Sequence, residues 1–312
     1  MLSVSSLGDL LARKGPLFLA AGFFDGVHVG HVRILSAAVE NAHKAGGEAW
    51  VLTFDRHPRA ILSPSSAPRL LSSTSLRLEL MAETGVDGAC VLPFTEALAG
   101  TPPDDFAKAL LSGGAVAEVH CGENWRFGAC AAGTPASMDR VARAYGARVA
   151  VEPSVIHDGA PVSSSRIRTA VADGDLASAR AMLGRGHIVR AEVVHGRGEA
   201  RRLGLPTANL DTSCCVLPPA GSYAVRVGIP GAGTYLGVGG VGFRPTFPGA
   251  RPDEPQLEVH VLDFDGDLYG KTLDVAFVCK IRDEMRFPSG EALFAQIRQD
   301  IEAARAILGG AR

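Results

Sequence analysis

The chain has 312 residues, of which 46% are hydrophobic and 21% charged, and its formal net charge is -2. This length predicts two domains, and the composition gives each of them enough apolar side chains for a packed core. A nearly neutral chain has no basic field to attract nucleic acid, so no nucleic-acid partner is expected.

The N-terminal segment and the cysteines bear on the compartment. Residues 1–16 contain no long apolar run and no small-residue cleavage site, so neither a secretion signal nor a membrane partner is expected. The six cysteines lack metal-binding spacing and are predicted to be reduced thiols of a cytoplasmic protein. They are Cys90, Cys121, Cys130, Cys214, Cys215 and Cys279, and the adjacent pair is predicted to be inert. The sequence does not define the oligomeric state.

The first predicted elements form a strand–helix–strand unit. Residues 17–21 are an apolar run typical of a buried strand, residues 32–45 carry apolar side chains at helical spacing, and residues 50–54 form a second apolar run. Gly46 and Gly47 mark the end of the helix. In such a unit the first turn opens a helix N-terminus, whose unpaired N–H groups and dipole favour an anion such as phosphate.

That first turn reads GFFDGVHVGH and places His28 and His31 three residues apart. Gly26 and Gly30 let the backbone approach a ligand closely, and the imidazoles can donate hydrogen bonds to phosphate oxygens. Two alternatives stay open at this point. A histidine pair at this spacing could bind a metal ion, for which only Asp25 offers a third ligand nearby, or it could be structural.

The alternation of apolar runs and helical segments continues to about residue 185, which is typical of a parallel sheet covered on both faces. Strands are predicted at residues 89–93, 118–121 and 148–151, and helices at 76–83, 102–111, 138–145, 165–172 and 176–183. Thr101 and Pro102 suit the N-cap and first helical position of one helix, and Ser165 or a neighbouring serine suits the cap of another.

From residue 187 onward the pattern changes to strands separated by glycine and proline, which predicts an antiparallel sheet or small barrel. These strands are predicted at residues 188–195, 223–227, 235–241, 257–264 and 272–278, and an amphipathic helix at 290–307 closes the chain. A GxGxxG pattern at 237–242 is followed by Arg244 and Pro245, so it is predicted to be a strand and no dinucleotide site. We therefore predict an α/β, Rossmann-like domain with a parallel sheet over residues 1–184. A small antiparallel β-barrel domain with a C-terminal helix is predicted over residues 185–312.

Three further polar segments lie at strand ends or helix starts of the first half. TFDRHP at 53–58 follows a strand at the edge where open α/β sheets bind ligands, with His57 either at the ligand or in a plain turn. GENWRFG at 122–128 offers Trp125 and Phe127 either as exposed surfaces for a ring or as core residues. SSSRIR at 163–168 opens a helix with hydroxyls and guanidiniums suited to an anion. We expect these segments to converge on one crevice.

The four motifs, in this order and spacing, resemble the FAD synthetase half of the bacterial bifunctional riboflavin kinase/FMN adenylyltransferase family. The HxGH turn alone is shared by a wider nucleotidyltransferase superfamily, whereas the set of four is far more specific. The second half is similar to the family's riboflavin kinase module through LGLPTAN at 203–209, GFRPTF at 242–247, LEVH at 257–260, LYG at 268–270 and IRDEMRF at 281–287. The resemblance spans nearly the whole chain and implies a nucleotidyltransferase domain followed by a kinase barrel.

For the first half, the resemblance implies adenylyl transfer from ATP to FMN. His28 and His31 would bind the ATP phosphates and stabilise the transition state as the FMN phosphate attacks the α-phosphorus. The other implied ATP contacts are Gly22, Phe24, Asp25, Gly30, Ser164, Ser165, Arg166 and Arg168. The implied flavin contacts are His57, Asn124, Trp125 and Arg126. Ser165 stands where the family often has threonine, and it keeps the hydroxyl.

For the second half, the resemblance implies phosphorylation of riboflavin by ATP. The implied ATP contacts are Gly204, Pro206, Thr207 and Asn209, of which Thr207 and Asn209 would also hold Mg²⁺ through oxygen atoms. Glu258 would accept the proton of the riboflavin 5′-hydroxyl as this attacks the γ-phosphate. The alternative for Glu258 is an outward-facing strand residue, because its two apolar neighbours in the sequence would face the opposite way.

Two departures from the family pattern lie in the kinase half. Residues 199–201 read Glu-Ala-Arg where the family usually has Arg-Gly-Arg, and Gly240 stands where it tends to have asparagine. The predicted function is a bifunctional enzyme that makes FMN from riboflavin and then FAD from FMN. One alternative keeps FAD synthesis alone, with a barrel reduced to flavin binding. Another is a flavin- or nucleotide-binding regulatory protein without turnover.

Overall fold

The computed structural model describes residues 1–195, 206–243 and 255–309. The chain divides into two compact units of different architecture. The first unit contains Met1–Pro68 and Thr74–Ser163, and the second contains Arg69–Ser73 and Ser164–Arg312. The first is built on a parallel sheet and the second on a closed antiparallel barrel.

A six-stranded sheet with every neighbouring pair parallel forms the centre of the first unit. Its strands are β1 (Leu2–Val4), β2 (Leu17–Ala21), β3 (Glu48–Phe54), β4 (Gly88–Leu92), β5 (Val116–Gly122) and β6 (Arg148–Glu152). Their order across the sheet is β1-β4-β3-β2-β5-β6. The predicted parallel α/β architecture is confirmed. The edge strand β1 was not predicted, because three largely exposed residues carry no clear apolar pattern.

Helices cover this sheet. They are α1 (Leu7–Leu11), α2 (Val29–Ala45), α3 (Arg59–Leu62), α4 (Thr74–Ala82), α5 (Glu96–Ala99), α6 (Pro103–Leu111) and α7 (Pro135–Ala144). A two-stranded hairpin, β7 (Ile156–His157) and β8 (Ala160–Pro161), ends the unit. The start of α6 corrects a prediction. Pro102 is its N-cap and Pro103 its first helical residue, because a residue that precedes proline is held in the extended conformation.

The core of the first unit packs against the sheet with fully buried Trp50, Leu110 and Met138. Gly88 is required beside Trp50, since a Cβ on Gly88 would lie 2.6 Å from the indole ring. Arg13 and the indole N–H of Trp50 both donate hydrogen bonds to Glu48, which lowers the pKa of this carboxyl group. Packing of this kind gives β2, β3 and β5 fixed positions, and their carboxyl ends carry the polar motifs.

In the second unit, six strands close into an antiparallel barrel in the order β10-β13-β12-β11-β14-β9. The strands are β9 (His187–Val194), β10 (Ala208–Leu210), β11 (Gly221–Ile229), β12 (Gly233–Gly242), β13 (Gln256–Val261) and β14 (Thr272–Asp283). The helices are α8 (Ser164–Ala172), α9 (Leu176–Leu183) and the C-terminal α10 (Gly290–Gly309). The predicted barrel with its C-terminal helix is confirmed.

Alternation along the strands fills the barrel and leaves an outer face for α10. Tyr223, Leu257 and Val259 are fully buried inside. The apolar side of the predicted amphipathic helix packs on the outer face of the barrel, where Ala304 and Leu308 belong to one cluster with Ala224 and Val238. The GxGxxG segment lies entirely in β12, as predicted.

Candidate active sites

The turn between β2 and α2 lies at the point where the strand order of the parallel sheet reverses. β2 pairs with β3 on one side and with β5 on the other, so the carboxyl ends of these three strands share one edge. GFFDGVHVGH, TFDRHP and GENWRFG follow these three strands in turn. Open α/β sheets bind ligands at such a switch point. The structure thus brings three of the four predicted motifs to one edge of the sheet.

His28 and His31 form the start of α2 itself. His28 is the N-cap, and its Nδ1 accepts a hydrogen bond of 3.3 Å from the backbone N–H of His31. The two imidazoles stack with 3.5 Å between their ring centroids. Because Nδ1 accepts, the proton of a neutral His28 is on Nε2, which makes that nitrogen a donor. The turn therefore presents imidazole donors together with the positive end of a 17-residue helix.

The backbone of this turn is held in uncommon conformations. Phe24 and Val27 have φ angles of +58° and +38°, and a left-handed conformation is costly for residues with a Cβ, most of all a β-branched one. Two glycines make room. A Cβ on Gly22 would lie 3.0 Å from the Phe24 ring, and one on Gly30 would lie 3.2 Å from the His28 imidazole. Such strain, which costs on the order of 1–3 kcal/mol per residue, is typical of functional turns.

A buried arginine supports the same turn and was not identified from the sequence. Arg77 of α4 is fully buried, and its guanidinium carbon lies 4.1 Å from the centre of the Phe23 ring. Its Nη2 donates a 2.6 Å hydrogen bond to the carbonyl of Phe54 at the end of β3. Burial lowers the pKa of Arg77 to about 10, despite the carboxylates of Asp25 and Asp55. Arg77 therefore remains a cation at neutral pH and fastens two sequence motifs to each other.

The signal for Arg77 was present in the pattern of α4. It stands between the buried Leu76 and Leu80 on a helix whose apolar face covers the sheet. A charged residue at such a position is rare unless it has a specific partner.

The TFDRHP segment also contacts the histidine turn. Thr53 donates a hydrogen bond to the carbonyl of Phe23, and the Phe23 ring meets the His57 ring edge-on with 5.0 Å between the centroids. His57 Nδ1 accepts a hydrogen bond from the N–H of Arg59.

The GENWRFG segment is divided between surface and core. Asn124 and Arg126 are exposed, and Arg126 donates to the carbonyl of Trp125. Phe127 is buried in the core, and Trp125 is half-buried and stacked on it at 4.6 Å. Of the two possibilities left open for these aromatic residues, the core assignment holds for Phe127.

The SSSRIR segment forms the start of α8, which begins at Ser164, so Ser165 lies inside the helix and not at its cap. Ser165 is exposed, Ser164, Arg166 and Arg168 are half-buried, and Ile167 is fully buried. Hydroxyl and guanidinium groups therefore occupy the first turns of this helix. This helix belongs to the second unit, whereas the other three motifs belong to the first.

A cavity of about 540 Å³ lies against the outer wall of the barrel, within the size range of small-molecule sites. Glu258 of β13 and Gly240 of β12 line it and stand opposite each other in the strand register. Leu257 and Val259 face the barrel interior, so Glu258 faces outward, as the alternative to a catalytic role supposed. Glu258 is nevertheless half-buried, because the outward face of β13 forms a wall of this cavity.

Two further predicted residues share that face. Asn209 of β10 is the direct partner of Glu258 in the register, and Thr207 lines the cavity just before β10. Asn209 is 7% exposed, and its Oδ1 has no hydrogen-bond partner in the described part of the chain. Pro206 is exposed, and its carbonyl lies 2.8 Å from Nδ1 of His260. Gly204 and residues 199–201 lie outside the described residues.

Helix α10 forms the opposite wall of the cavity through Leu293, Ile297 and Asp300. Asp300 is buried and accepts hydrogen bonds at 2.8 and 3.0 Å from Arg282 of β14. Gln296 donates to the same carboxylate at 3.0 Å. Arg282 also lies over the Phe287 ring at 5.6 Å. This buried network fixes the position of α10 on β14.

The fold and the two sites define a transferase of phosphorus-containing groups with an α/β nucleotidyltransferase unit and a barrel kinase unit. Residues 12–166 match the FAD synthetase family model, and residues 183–308 match the riboflavin kinase model. Among the described residues, no group of three or more His, Cys, Asp or Glu side chains could hold a metal ion.

The chain belongs to the bifunctional riboflavin kinase/FMN adenylyltransferase family. It is 37% identical over 287 residues to the Pseudomonas fluorescens protein of that name, a match that covers 92% of this chain and 91% of the relative. Identity to the Escherichia coli K12 protein is 35% over 292 residues, covering 93% and 92%. A solved Streptococcus pneumoniae structure described as a macrolide-efflux protein has a TM-score of 0.82 and 28% identity, covering 97% of this chain and 98% of that one. Within the described ranges, no helix has the length and apolar character to cross a membrane.

Proposed function

We propose that this enzyme phosphorylates riboflavin with ATP in its barrel and adenylylates FMN with ATP on its parallel sheet, releasing pyrophosphate. The observation that carries the proposal is that one chain contains two separately built sites. One is a histidine pair at a helix N-terminus on a sheet switch point, and the other is a cavity lined by Glu258, whose strand-register partner is Asn209. We assign residues 1–184 to FAD synthesis and residues 185–312 to the kinase.

For adenylyl transfer, we assign His28 and His31 to the phosphates of ATP. The FMN phosphate oxygen attacks the α-phosphorus while the bond to the pyrophosphate oxygen breaks. Negative charge increases on the oxygens of the phosphorus centre and on the leaving group. Imidazole donors and the N-terminal N–H groups of α2, already fixed by the strained turn, stabilise that charge without reorganisation. Asn124, Arg126 and the α8 residues Ser164, Arg166 and Arg168 are assigned to substrate binding.

For the kinase step, we assign Glu258 to the 5′-hydroxyl of riboflavin. The carboxylate takes the hydroxyl proton as the oxygen attacks the γ-phosphorus, and ADP leaves. Its half-buried position in the cavity wall supports this role. Gly240 stands opposite Glu258 and has no side chain that could enter the cavity. A Cβ at this position would also fit, because within 4 Å it would meet only the carbonyl oxygen of Glu258, at 3.9 Å. The departure from the family pattern at this position therefore does not block the site.

A magnesium ion fits the donor set beside Glu258. The buried Oδ1 of Asn209 lacks a partner among the described residues, and Thr207 offers a hydroxyl on the same face. Oxygen donors of this kind suit Mg²⁺, which keeps several waters and binds substrate phosphates. When bound, the ion would neutralise charge on the ATP phosphates.

We place the enzyme in the cytoplasm, since six unbridged cysteines suit a reducing compartment.

The test is a flavin separation by chromatography after incubation of the purified protein with ATP, Mg²⁺ and either riboflavin or FMN. We expect FMN and FAD from riboflavin, and FAD from FMN. Conversion of FMN alone would leave only the FAD synthetase alternative, and no product from either flavin would favour the regulatory alternative.

Two variants then separate the sites. His28→Ala should lower FAD formation by about 10²- to 10³-fold and leave FMN formation unchanged, with His43→Ala at the exposed end of the same helix as control. Glu258→Gln should lower FMN formation by about 10²- to 10⁴-fold and spare FAD formation from FMN, with the exposed Glu192→Gln of β9 as control. Equal loss of both activities in either variant would contradict the assignment of separate sites.

A further inference from the structure

Two adjacent cysteines, which the sequence alone predicts to be inert, lie outside both candidate sites. Cys214 and Cys215 are in the segment between β10 and β11 of the second unit. The side chain of Cys214 is exposed and that of Cys215 is buried, and their sulfur atoms lie 3.7 Å apart. One thiol is therefore accessible to solvent while the second is within reach of it.

Hydrogen bonds fix the backbone on both sides of the pair. The carbonyl of Cys214 accepts a 2.8 Å hydrogen bond from the N–H of Leu70, and the N–H of Val216 donates to the carbonyl of Leu70 at 3.0 Å. The N–H of Cys215 donates a 2.9 Å hydrogen bond to the carbonyl of Thr212. The two sulfur atoms are thus presented on an ordered segment, which lowers the entropic cost of bringing them together.

The surroundings set Cys214 apart from the buried thiols Cys90 and Cys121. The hydrogen bond with Cys215 lowers the pKa of Cys214 to about 7, with Arg69 acting in the same direction and burial and Asp211 opposing it. Burial raises the pKa of Cys90 and of Cys121 to about 12. Thiolate is the reactive form of cysteine, so the exposed Cys214 is expected to react more readily at neutral pH than these two buried thiols.

We propose that Cys214 and Cys215 form a reversible oxidation site for hydrogen peroxide. The Cys214 thiolate attacks the peroxide, the O–O bond breaks, and Cys214 becomes a sulfenic acid with release of hydroxide. The Cys215 thiol then displaces the hydroxyl group from the Cys214 sulfur. This step forms an S–S bond and releases water. Two thiols and one peroxide give one disulfide and two waters in all, so the peroxide is the two-electron oxidant.

Geometry makes the resulting disulfide easy to reduce. Adjacent Cα atoms across a trans peptide are about 3.8 Å apart, below the usual Cα separation of a disulfide of about 4.4–6.8 Å. The bond must therefore distort the backbone between the two residues, and a strained, exposed disulfide is the kind that thiols reduce readily. We expect the distortion to weaken the hydrogen bonds between Leu70 and the two residues Cys214 and Val216.

The experiment treats the reduced full-length protein with hydrogen peroxide and follows the peptide that carries both cysteines by mass spectrometry. We expect the loss of two hydrogen atoms from that peptide and its recovery with dithiothreitol. Cys215→Ser should instead leave Cys214 as a sulfenic acid, which a 1,3-dione reagent captures. Cys214→Ser should abolish both products, and Cys130→Ser, at an exposed thiol of the first unit, should change neither.

The outcomes decide the proposal in either direction. It is overturned if the peptide keeps its mass, if Cys214 forms a disulfide with another chain, or if Cys130 is oxidised as fast as Cys214. Because Cys215 belongs to the barrel core, its serine variant is checked for folding by near-UV circular dichroism. If that variant does not fold, the exposed Cys214→Ser still decides the outcome. Hydrogen exchange at Leu70 and Val216 provides a second measurement, and we expect faster exchange in the oxidised protein.

Discussion

The two halves of this enzyme build their sites in opposite ways. On the parallel sheet, one continuous turn of ten residues supplies both histidines, the glycines and the helix N-terminus. In the barrel, Asn209 and Glu258 lie far apart in sequence and meet only because β10 and β13 are paired in one register. The first site depends on local backbone conformation, whereas the second depends on strand pairing and on the helix that covers it.

This difference predicts where each activity is vulnerable. A change that strains the turn should affect FAD formation alone. A change that loosens α10 or shifts a strand should affect the kinase, even when it is distant from Glu258. The following variants test that distinction.

The largest effect is expected from Asp300→Asn. The change leaves the half-buried Arg282 without the carboxylate of the buried Asp300, and breaking a buried ion pair costs up to about 3–5 kcal/mol of unfolding free energy. Kinase activity should therefore be lost at a lower temperature, while FAD formation from FMN keeps its wild-type heat resistance. The two activities, assayed in the same heated samples, provide the measurement.

A second ion pair that involves the same helix provides a matched control. Arg305 of α10 pairs with Asp263, but both side chains are exposed, so Asp263→Asn should leave the heat resistance of both activities unchanged. Parallel loss of both activities in Asp300→Asn would contradict the view that α10 supports the kinase site alone.

The next effect concerns Arg77, the buried cation behind the histidine turn. Arg77→Met keeps roughly the side chain's volume but removes the charge, the hydrogen bond to the carbonyl of Phe54 and the attraction to Asp25. FAD formation should fall by about tenfold or more in kcat/KM, equal to about 1.4 kcal/mol, because Phe23 and Asp25 lose their anchor.

Arg77→Lys keeps the charge without the planar fork and should lie between wild type and Arg77→Met. Arg143→Met, at an exposed position on α7, is the control and should change neither activity. If Arg77→Met unfolds the first unit, or if kinase activity falls with FAD formation, Arg77 does not act on the turn in the proposed way.

These contrasts also explain what could be predicted from the sequence. The bounds of β2 and α9 were predicted to the residue, because their apolar runs and their glycine or proline neighbours are local signals. The start of α2 was placed three residues late, since His28 caps the helix with a ring nitrogen instead of a hydroxyl. The three-residue strand β10 was missed, as nothing local distinguishes it from a loop.

The same distinction between local and long-range signals applies to the candidate site residues. The histidine turn could be identified as an anion site from its own residues, because glycines and a helix start are visible in sequence. The pairing of Asn209 with Glu258 could be anticipated only through family resemblance, since strand register is a long-range property. Arg77 was missed because its role depends on the end of β3 and on Phe23, which only the folded sheet brings together.

A smaller effect is expected from Gly30→Ala. The new Cβ would lie 3.2 Å from the His28 ring, close enough to displace it by a few tenths of an ångström. FAD formation should fall by a few fold, less than about 1 kcal/mol in kcat/KM, while FMN formation is unchanged. Gly113→Ala, where a Cβ meets nothing within 4 Å, is the matched control. An unchanged rate in Gly30→Ala would show that the histidine stack tolerates displacement.

The smallest effect concerns pH and is confined to the first unit. His120 of β5 is fully buried, with Nδ1 3.6 Å from Glu152, and Glu118 lies on the same strand. Burial lowers the pKa of His120 although both carboxylates oppose the shift. The unfolded chain then binds a proton more readily than the folded one as pH falls through the ordinary histidine value of about 6.5. Stability of the first unit should therefore decrease below that pH.

His120→Val removes the titrating group. Between pH 7 and pH 5, the first unit of this variant should therefore lose less stability than the first unit of the wild type. The measurement is urea inactivation of FAD formation at both pH values, with His43→Val as an exposed control on α2. Arg33 near Glu152 and Arg148 paired with Glu118 are the other charges around this group, and both are largely exposed to solvent and screened. An equal pH dependence in wild type and variant would mean that folding does not shift the pKa of His120. The kinase, whose barrel does not contain His120, should show no change in pH dependence with this substitution.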